Sequence, residues 1–398
     1  MRPQSIVFFA VLALLLAYTG YKASLLWPRH RILAWGAAIF FVAFTVGWWL
    51  LYRSNPGALD SGWFRALAWA GSLSMGLWAT FIFLSAATDV LRLAAWGVQR
   101  AGRNRVDAAR RSFLSRWLPT GVVLSSAGIA GLGFAEAVRG PLVREFVVPI
   151  PNLPRALQGL KIAQISDLHV GPTIQRGYVD EVVRHTNALN PDLIVVTGDI
   201  ADGSPAVIGE FLQPFARLKA RLGTYYVTGN HEYYWGVEEW LESVRGLGLI
   251  ALLNENRILA VDDARILLAG VTDSAGGNFF ASHRSDAAQA RRSTEDCQLR
   301  ILLAHRPDNW FEAESLGFDL QLSGHTHGGQ FFPWSVFMPL AYKYYRGLNR
   351  HGRMWIFVSS GTGYWGPAHR FAIPSEIALL RLTADATESS SDRVRSRS

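Results

Sequence analysis

Four long apolar runs within the first 137 residues constrain the fold of this chain more than any other feature. They cover approximately residues 4–21, 32–52, 66–87 and 117–137. Each is close to the ~20 residues that a helix needs to cross the hydrocarbon core of a bilayer. Four such runs in so short a stretch are hard to reconcile with buried helices of a soluble domain. We therefore predict an all-α transmembrane region of about four helices over residues 1–138.

The positive charge of the chain is concentrated in this region. The formal net charge is +8, but residues 1–138 hold 13 Lys and Arg against 4 Asp and Glu, whereas residues 139–398 hold 26 against 27. The C-terminal region therefore lacks the basic excess that is typical of nucleic-acid binding, and no nucleic-acid partner is expected. The excess in the N-terminal region is instead a signal of membrane topology.

The arginines between the third and fourth runs predict the side of the membrane that each segment faces. Seven of them lie there: Arg92, Arg100, Arg103, Arg105, Arg110, Arg111 and Arg116. Because cytoplasmic loops are enriched in Lys and Arg, we expect this segment in the cytoplasm. With four spans, the N-terminus and everything after the fourth span then face outward. The expected location is the cell (inner) membrane, multi-pass, with an extracytoplasmic C-terminal domain.

A second signal overlaps the fourth run. The sequence RRSFL at residues 110–114, followed by an apolar stretch and the small-residue sequence AEA at 135–137, resembles a twin-arginine export signal. The alternative is that the paired arginines are ordinary charges flanking a membrane span. Both interpretations send the C-terminal region outward, and cleavage after Ala137 stays open.

From residue 140 the pattern changes to short apolar runs separated by helical or loop segments. Runs of strand type occupy residues 160–169, 192–199, 224–230, 265–273, 300–305, 318–325, 354–361 and 376–382. Strands that first alternate with helices and then follow one another closely predict a layered α/β domain with two packed sheets. We assign this domain to residues 139–383 and expect the tail, 384–398, to be disordered because it has little apolar surface to bury.

The polar residues that follow these strands form a candidate metal centre. In chain order they read SDLH, TGDIAD, TGNHEY, LAHRP and SGHTHGG. They offer carboxylate, amide and imidazole groups, all of which bind metal ions: Asp167, His169, Asp199, Asn230, His305, His325 and His327. Polar residues at the carboxyl ends of strands commonly build the sites of α/β folds. Five strand ends that all supply ligand-type residues therefore predict a shared site.

The last motif, SGHTHGG, has two histidines separated by one residue. Residues i and i+2 of an extended strand point to the same face, so we expect His325 and His327 to share a face and to reach a single point or two neighbouring points. The flanking Gly324, Gly328 and Gly329 would let the backbone turn sharply and would allow a close approach. The pair alone is weak evidence, and it gains meaning only from the other four strand ends.

The motif order DxH, GDxxD, GNHE, H and GHTH resembles the calcineurin-like metallophosphoesterase superfamily over roughly residues 145–382. The sequences LPRALQGLKIAQISDLHVGP and SSGTGYWGP are most similar to its YkuE/YaeI-type bacterial phosphodiesterase subgroup, whose members often carry an export signal or membrane segment before the domain. The resemblance implies a four-layer α/β/β/α sandwich. It also implies a cofactor of two divalent metal ions, with Mn, Fe and Zn as candidates.

The resemblance further implies a role for each motif residue. Two sets of three ligands would each hold one metal ion: Asp167, His169 and His327, and Asn230, His305 and His325. Asp199 would bridge the two ions. His231 would be the catalytic histidine that faces the substrate, and Asp202 would hold its other ring nitrogen. No core ligand departs from the pattern of the family.

These features together predict a membrane-tethered phosphoesterase. It would hydrolyse phosphodiester or pyrophosphate bonds by a hydroxide that two metal ions activate, on a phosphate ester linked to a lipid or to the cell envelope. One alternative is a lipid-linked pyrophosphatase of the UDP-diacylglucosamine type, which would act on the cytoplasmic face and require the opposite topology. Another is a non-catalytic metal-binding membrane sensor, for which a missing ligand would be the sign.

Three aromatic segments are candidate neighbours of the site. We expect EYYWG (232–236) and YWGPAHRF (364–371) at its rim, with His369 or Arg370 in contact with a phosphate or with the leaving group. The apolar segment FFPWSVFMPLAYKYY (331–345) is a candidate for a lid, for part of the core, or for a surface that dips into the bilayer.

Overall fold

The computed structural model of the chain describes residues 3–102, 117–293 and 295–384. The chain divides into two units: Met1–Ala135 with Gly366–Phe371, and Glu136–Trp365 with Ala372–Ser398. The twin-arginine-like sequence at 110–114 and residues 385–398 of the expected tail lie outside the described residues.

The first unit contains four long helices among its described residues. They are α1 (Pro3–Leu26), α2 (Arg31–Ser54), α3 (Gly62–Gly102) and α4 (Leu118–Val138). Each contains a stretch long and apolar enough to cross a membrane. The prediction of about four spanning helices before an α/β domain is therefore confirmed.

Helix α3 continues beyond the expected third span and includes Arg92 and Arg100, which were expected in a loop. Asp89, also in this extension, lies 2.5 Å from Nζ of Lys22 in α1 and accepts a hydrogen bond of 2.8 Å from the hydroxyl of Tyr18. Arg92 lies one turn further along the helix, 3.7 Å from the same carboxylate. The extension thus places charged residues on a helix, and one of them, Asp89, pairs with Lys22 of α1.

The second unit contains twelve strands among its described residues. They are β1 (Leu142–Ile150), β2 (Lys161–Ile165), β3 (Leu193–Val196), β4 (Thr224–Tyr226), β5 (Ile250–Ala251), β6 (Glu255–Val261), β7 (Ala264–Gly270), β8 (Leu299–Leu303), β9 (Leu320–Ser323), β10 (Gly347–His351), β11 (Met354–Val358) and β12 (Glu376–Ala384). They form two six-stranded sheets, ordered β1-β12-β2-β3-β4-β5 and β10-β11-β9-β8-β7-β6. Strands β2 to β5 are parallel neighbours, and so are β7, β8, β9 and β11.

Seven short or medium helices connect these strands in the described part of the unit. They are α5 (Arg176–Ala188), α6 (Pro205–Ile208), α7 (Asn230–Tyr234), α8 (Val237–Gly246), α9 (Ala287–Arg291), α10 (Trp310–Ser315) and α11 (Trp334–Ala341). The inward face of α5 is formed by Val179, Val182 and Val183, which are buried. The segment 209–217 is a 3-10 helix with Pro214 inside it, because proline removes a helical hydrogen bond and clashes with the preceding turn.

The two sheets pack face to face, with helices on their outer faces. In β3, Leu193 and Val195 point into the core between the sheets, where they join Ile301 and Leu303 of β8. Successive strand residues alternate between faces, and the outer face of the second sheet is covered by Ala287 of α9 and other small side chains. This arrangement is the predicted four-layer α/β/β/α sandwich.

Candidate metal centre

Five loops that follow central parallel strands carry the candidate ligands. In the first sheet these loops follow β2, β3 and β4, and in the second sheet they follow β8 and β9. Each motif places its first candidate ligand within four residues of the strand end. Because the carboxyl ends of parallel neighbours meet at one edge of a sheet, the loops converge.

The first group of ligand-type atoms joins the loops after β2 and β9. Nε2 of His169 and Nε2 of His327 are 3.0 Å apart. Nε2 of His327 is also 3.5 Å from Oδ1 of Asp167. All three side chains are buried, although His169 and His327 are 158 residues apart in the chain.

Asp199 connects this group to the loop after β8. Its Oδ2 lies 3.1 Å from Nε2 of His305, which is 3.2 Å from Nδ1 of His325. The same Oδ2 is 3.9 Å from Nε2 of His169 and 4.0 Å from Nε2 of His231. Asp199 therefore belongs to two further groups of donors, one with His169 and His231 and the other with His305 and His325. Within each group, one ligand atom of every residue lies within 4.8 Å of those of the other two.

The histidines are oriented by a second hydrogen bond on the opposite ring nitrogen. Nδ1 of His305 donates to the carbonyl oxygen of Thr197 at 2.7 Å. Nδ1 of His169 donates to Oδ1 of Asp202 at 3.2 Å, and Nε2 of His325 is 3.2 Å from the hydroxyl of Tyr342. Such partners fix the orientation of metal-binding histidines and select the nitrogen that faces the ion. The remaining nitrogen of each ring points into the cluster.

The charges at the site suit cations. Asp167 and Asp199 are both buried, and no lysine or arginine of the described residues forms an ion pair with either of them. Burial raises the pKa of Asp167, and the neighbouring Asp199 adds to the effect against the opposing His305. A buried carboxylate pair is costly without a compensating cation. Mixed imidazole and carboxylate donors fit divalent ions such as Zn, Fe and Mn.

Five candidate ligands have backbone angles that L-residues rarely adopt. The φ angles are 52° for Asp167, 51° for His169, 51° for Asp199, 69° for His325 and 51° for His327. Each such residue costs roughly 1–3 kcal/mol and persists only where the surroundings enforce it. Backbone strain of this kind, found repeatedly in one cluster, is typical of functional sites.

Two glycines allow the loops to approach this closely. A Cβ on Gly324 would lie 2.0 Å from Oγ of Ser166 and 2.1 Å from Oδ2 of Asp167. A Cβ on Gly229 would lie 2.1 Å from Oδ1 of Asp199. Any side chain at these positions would displace a candidate ligand, which explains their lack of one.

His231 has a distinct environment beside the cluster. Its backbone N–H donates to Oδ1 of Asp199 at 2.8 Å, and its Nδ1 forms a short hydrogen bond with Oδ1 of Asp202. Burial alone would lower the pKa of His231, but Asp202 and Asp199 raise it to about 9. Against the opposing effect of burial, His231 and His169 hold the pKa of Asp202 well below its usual range. The two neighbouring carboxylates thus favour the protonated form of the ring.

Comparisons with known proteins agree with this arrangement. Residues 160–329 match the family model described as calcineurin-like phosphoesterase. A relative named an uncharacterized metallophosphoesterase, from Helicobacter pylori (strain ATCC 700392 / 26695), is 39% identical over 308 residues, which cover 75% of this chain and 80% of the relative. The chain belongs to the calcineurin-like metallophosphoesterase family. It is therefore a phosphoric ester hydrolase, as the motif order predicted.

Other relatives of this metallophosphoesterase extend the comparison to membrane proteins. A bovine (Bos taurus) protein named "Transmembrane protein with metallophosphoesterase domain" is 37% identical over 314 residues, covering 76% of this chain and 69% of the relative. The metallophosphoesterase YkuE of Bacillus subtilis (strain 168) is 28% identical over 284 residues, covering 69% and 97%. The similarity to a protein named as transmembrane agrees with the four apolar helices of this chain, which indicate a membrane protein.

The prediction that His325 and His327 share one face of an extended strand is wrong. Strand β9 ends at Ser323, so His325 and His327 do not continue an extended strand. Both have positive φ angles, and their rings diverge: His325 contacts His305, whereas His327 contacts His169. Positive φ breaks the two-residue alternation on which the same-face argument depends.

Glu232 is a site residue that the sequence analysis did not single out. Its side chain is fully buried, and its carboxylate accepts three backbone hydrogen bonds, from Gly229 at 2.6 Å, Ile200 at 2.7 Å and Asp199 at 3.2 Å. It therefore ties the loop that carries Asp199 to the loop that carries Asn230. The only sequence signal was its place in the GNHE motif.

Replacing Glu232 with glutamine is expected to weaken metal binding without removing any candidate ligand. The amide nitrogen of glutamine cannot accept the backbone N–H groups, so at least one buried donor loses its partner, at a cost of about 1–3 kcal/mol. Loss of such supporting contacts typically reduces metal affinity by about 10–100-fold. Titration of activity with the metal ion measures the shift. Glu242→Gln on the exposed side of α8 is the matched control, and equal metal affinities of the two variants would contradict this role.

Arg306 is a second residue that the sequence analysis missed. Its Nε donates to Oδ2 of Asp273 at 3.0 Å, and its Nη2 is 3.4 Å from Oδ1 of Asn230. Asp273 is buried and so anchors the guanidinium beside the candidate ligand. The arrangement puts a fixed positive charge at one side of the centre, where phosphate oxygens would gain from it.

The expected rim of aromatic residues is only partly present. Tyr234 and Trp365 lie against the ring of His231, with centroid distances of 5.4 Å and 5.8 Å. His369 and Arg370 belong instead to the helical unit, where Nε2 of His369 donates to the carbonyl of Ile129 at 3.1 Å. The expectation that either contacts a phosphate is not supported, because both side chains are buried there.

Proposed function

We propose that this chain is a membrane-tethered phosphoesterase that hydrolyses phosphodiester or pyrophosphate bonds with two divalent metal ions. The observation that carries the proposal is the series of overlapping donor groups, two of which share Asp199 while the third joins them through His169. A carboxylate can bridge two cations, and ions about 3.5–4 Å apart are typical of enzymes that cleave phosphate esters by in-line displacement.

Each donor group has a role in this proposal. One ion would be held by Asp167, His169 and His327, the other by Asn230, His305 and His325, and Asp199 would be shared. When bound, the ions supply positive charge to the phosphate oxygens and acidify a water molecule. Asn230 contributes an oxygen without negative charge, which leaves the site attractive to an anionic substrate.

Protein side chains would handle the leaving group. Nε2 of His231 faces the shared carboxylate at 4.0 Å, and Asp202 binds the other ring nitrogen. Asp202 and Asp199 raise the pKa of the ring and so favour its imidazolium form, whose Nε2–H can donate its proton to the departing ester oxygen while Nδ1–H stays bound to Asp202. Arg306, fixed by Asp273, would bind a non-transferred phosphate oxygen or the second phosphate of a pyrophosphate.

The experiment that tests the proposal uses the full chain in detergent micelles. The protein is stripped of metal with a chelator and then supplied with Mn, Fe or Zn, and hydrolysis of bis(p-nitrophenyl) phosphate is measured. We expect hydrolysis only after metal is restored. A protein that is inert under every condition would refute the proposal and favour a sensor role.

Two substrate classes differ in the membrane side on which they occur. We propose an extracytoplasmic domain that acts on a lipid-linked or envelope-linked ester, because Arg92 and Arg100 lie near the C-terminal end of the third candidate span, and Lys22, Arg29 and Arg31 lie at or between the facing ends of the first two. The alternative, a UDP-diacylglucosamine-type pyrophosphatase, needs a cytoplasmic domain. Protease added to intact spheroplasts should digest the domain in the first case and spare it in the second.

A further inference from the structure

Helix α11 exposes an apolar surface in the second unit. Its sequence, WSVFMPLA, contains no charged residue. Trp334, Val336 and Leu340 are 56%, 52% and 84% exposed, whereas Met338 is buried. Adjacent exposed apolar side chains are unfavourable in water and mark surfaces that contact another phase or molecule.

The inner side of α11 packs against the loop that follows the candidate ligand His327. A Cβ on Gly329 would lie 2.5 Å from Cα of Ser335 and 2.9 Å from Cγ of Met338, so the first turns of the helix rest on the loop that follows His327. At the other end, the hydroxyl of Tyr342 is 3.2 Å from Nε2 of His325. The exposed face and the candidate ligands therefore belong to one continuous segment.

The charge of this part of the chain is unlike that of the rest of the unit. Residues 320–375 contain no Asp or Glu, and Lys343 and Arg346 follow α11 directly. Residues 139–398 as a whole hold 26 basic and 27 acidic residues, so the cationic character is local. An apolar helix with adjoining lysine, arginine, tryptophan and tyrosine is the composition of helices that lie in the headgroup region of a bilayer.

The chain itself keeps the C-terminal domain near a bilayer. The last candidate span ends at Val138, and β1 begins at Leu142. A linker this short holds the domain at a high effective concentration with respect to the membrane surface. Attraction of Lys343 and Arg346 to anionic headgroups then adds to the burial of the apolar side chains.

We propose that α11, with Lys343 and Arg346, is an interfacial docking surface that lies in the headgroup region of the membrane that the chain spans. The docked segment includes Tyr342, which contacts the candidate ligand His325. If the proposed hydrolase function holds, the substrate class is a phosphate ester whose lipid anchor lies in the same leaflet. The docking itself does not depend on that function.

A fluorescent probe tests the docking in the full chain. Cys297 is the only cysteine and is buried, so Cys297→Ser gives a background for single labels. Leu340→Cys is labelled with a polarity-sensitive fluorophore in nanodiscs of phosphatidylcholine and phosphatidylglycerol that contain a shallow spin-labelled lipid. Ile250→Cys, on the exposed edge strand β5 of the other sheet, is the matched control.

We expect blue-shifted emission and lipid quenching at position 340 but not at position 250. Charge reversal at Lys343 and Arg346 should reduce the lipid quenching of the label at position 340 about tenfold when anionic lipid is present. Equal emission and quenching of the two labels would overturn the proposal. A blue shift at 340 without lipid quenching would also overturn it, because it would indicate cover by protein, such as a second copy.

An activity measurement separates this inference from the proposed function. Leu340→Asp should leave hydrolysis of water-soluble bis(p-nitrophenyl) phosphate unchanged and reduce hydrolysis of a bilayer-embedded phosphodiester by about tenfold. Retained activity on the soluble ester also shows that the variant folds. Absence of hydrolysis in the wild type would refute the hydrolase proposal alone, since the fluorescence result decides the docking independently.

Discussion

Replacing Asp199 with asparagine is expected to reduce metal-dependent hydrolysis by at least about a hundredfold to a thousandfold. The asparagine side chain keeps the size of Asp199 but has no negative charge and only one oxygen, so it cannot bridge two cations. Loss of several kcal/mol of charge stabilisation in the transition state corresponds to this factor, at about 1.4 kcal/mol for each tenfold change. The rate with bis(p-nitrophenyl) phosphate and the metal content per chain are the measurements.

The control for Asp199→Asn lies at the other end of the same strand. Asp192 precedes β3, accepts the backbone N–H of Lys161 at 2.8 Å and pairs with Arg221. Asp192→Asn therefore removes a similar charge without touching the centre, and it should retain activity and metal content. Full activity and two bound ions in Asp199→Asn would contradict the role of Asp199 as a shared ligand.

Replacing His231 with alanine is expected to slow hydrolysis by about 10²–10⁴-fold when the leaving group is an alkoxide. The alkoxide needs a proton as it departs, and the ring held by Asp202 is the side chain placed to supply it. A p-nitrophenolate leaving group is stable without protonation, so the loss with a p-nitrophenyl ester should be much smaller. Rates with alkyl and p-nitrophenyl esters of the same phosphate measure the difference.

Two comparisons accompany the His231 variant. Its metal content should remain near that of the wild type, since the proposed ligand sets do not require this ring. His185→Ala, on helix α5 with Glu181 as its neighbour, should leave both rates unchanged. Equal losses with alkyl and p-nitrophenyl esters in His231→Ala would rule out proton donation as its main role.

The strands that sequence patterns predicted are the central ones. The eight predicted runs correspond to β2, β3, β4, β7, β8, β9, β11 and β12, and the strands that were missed are β1, β5, β6 and β10, which are the edges of the two sheets. A strand covered on both sides, such as β3 with the sequence LIVV, reads as a continuous apolar run. The edge strand β10, with the sequence GLNRH, has no buried residue and so carries no such signal.

The site shows a similar division. The types of the candidate ligands were evident because each follows an apolar run, and strand ends of this kind are recognisable locally. The positive φ angles of residues such as Asp167 and His327 were not predictable, because L-residues adopt them only under constraint from the surrounding structure. Glu232 was missed for the same reason: its importance lies in hydrogen bonds to Asp199 and Ile200, more than thirty residues earlier in the chain.

Composition and local order were sufficient to establish the four membrane helices, the layered α/β domain, the family and the identity of the candidate ligands. These features are determined by the hydropathy, the charge and the motif spacing of short segments, all of which can be recognised in the sequence. Tertiary packing decided which ligands meet, since His169 and His327 are 158 residues apart and yet have facing nitrogens. It also decided that Asp202 holds two histidines and that α11 exposes its apolar side chains. Contacts between distant loops depend on how the two sheets pack, and no local pattern in the sequence encodes that packing.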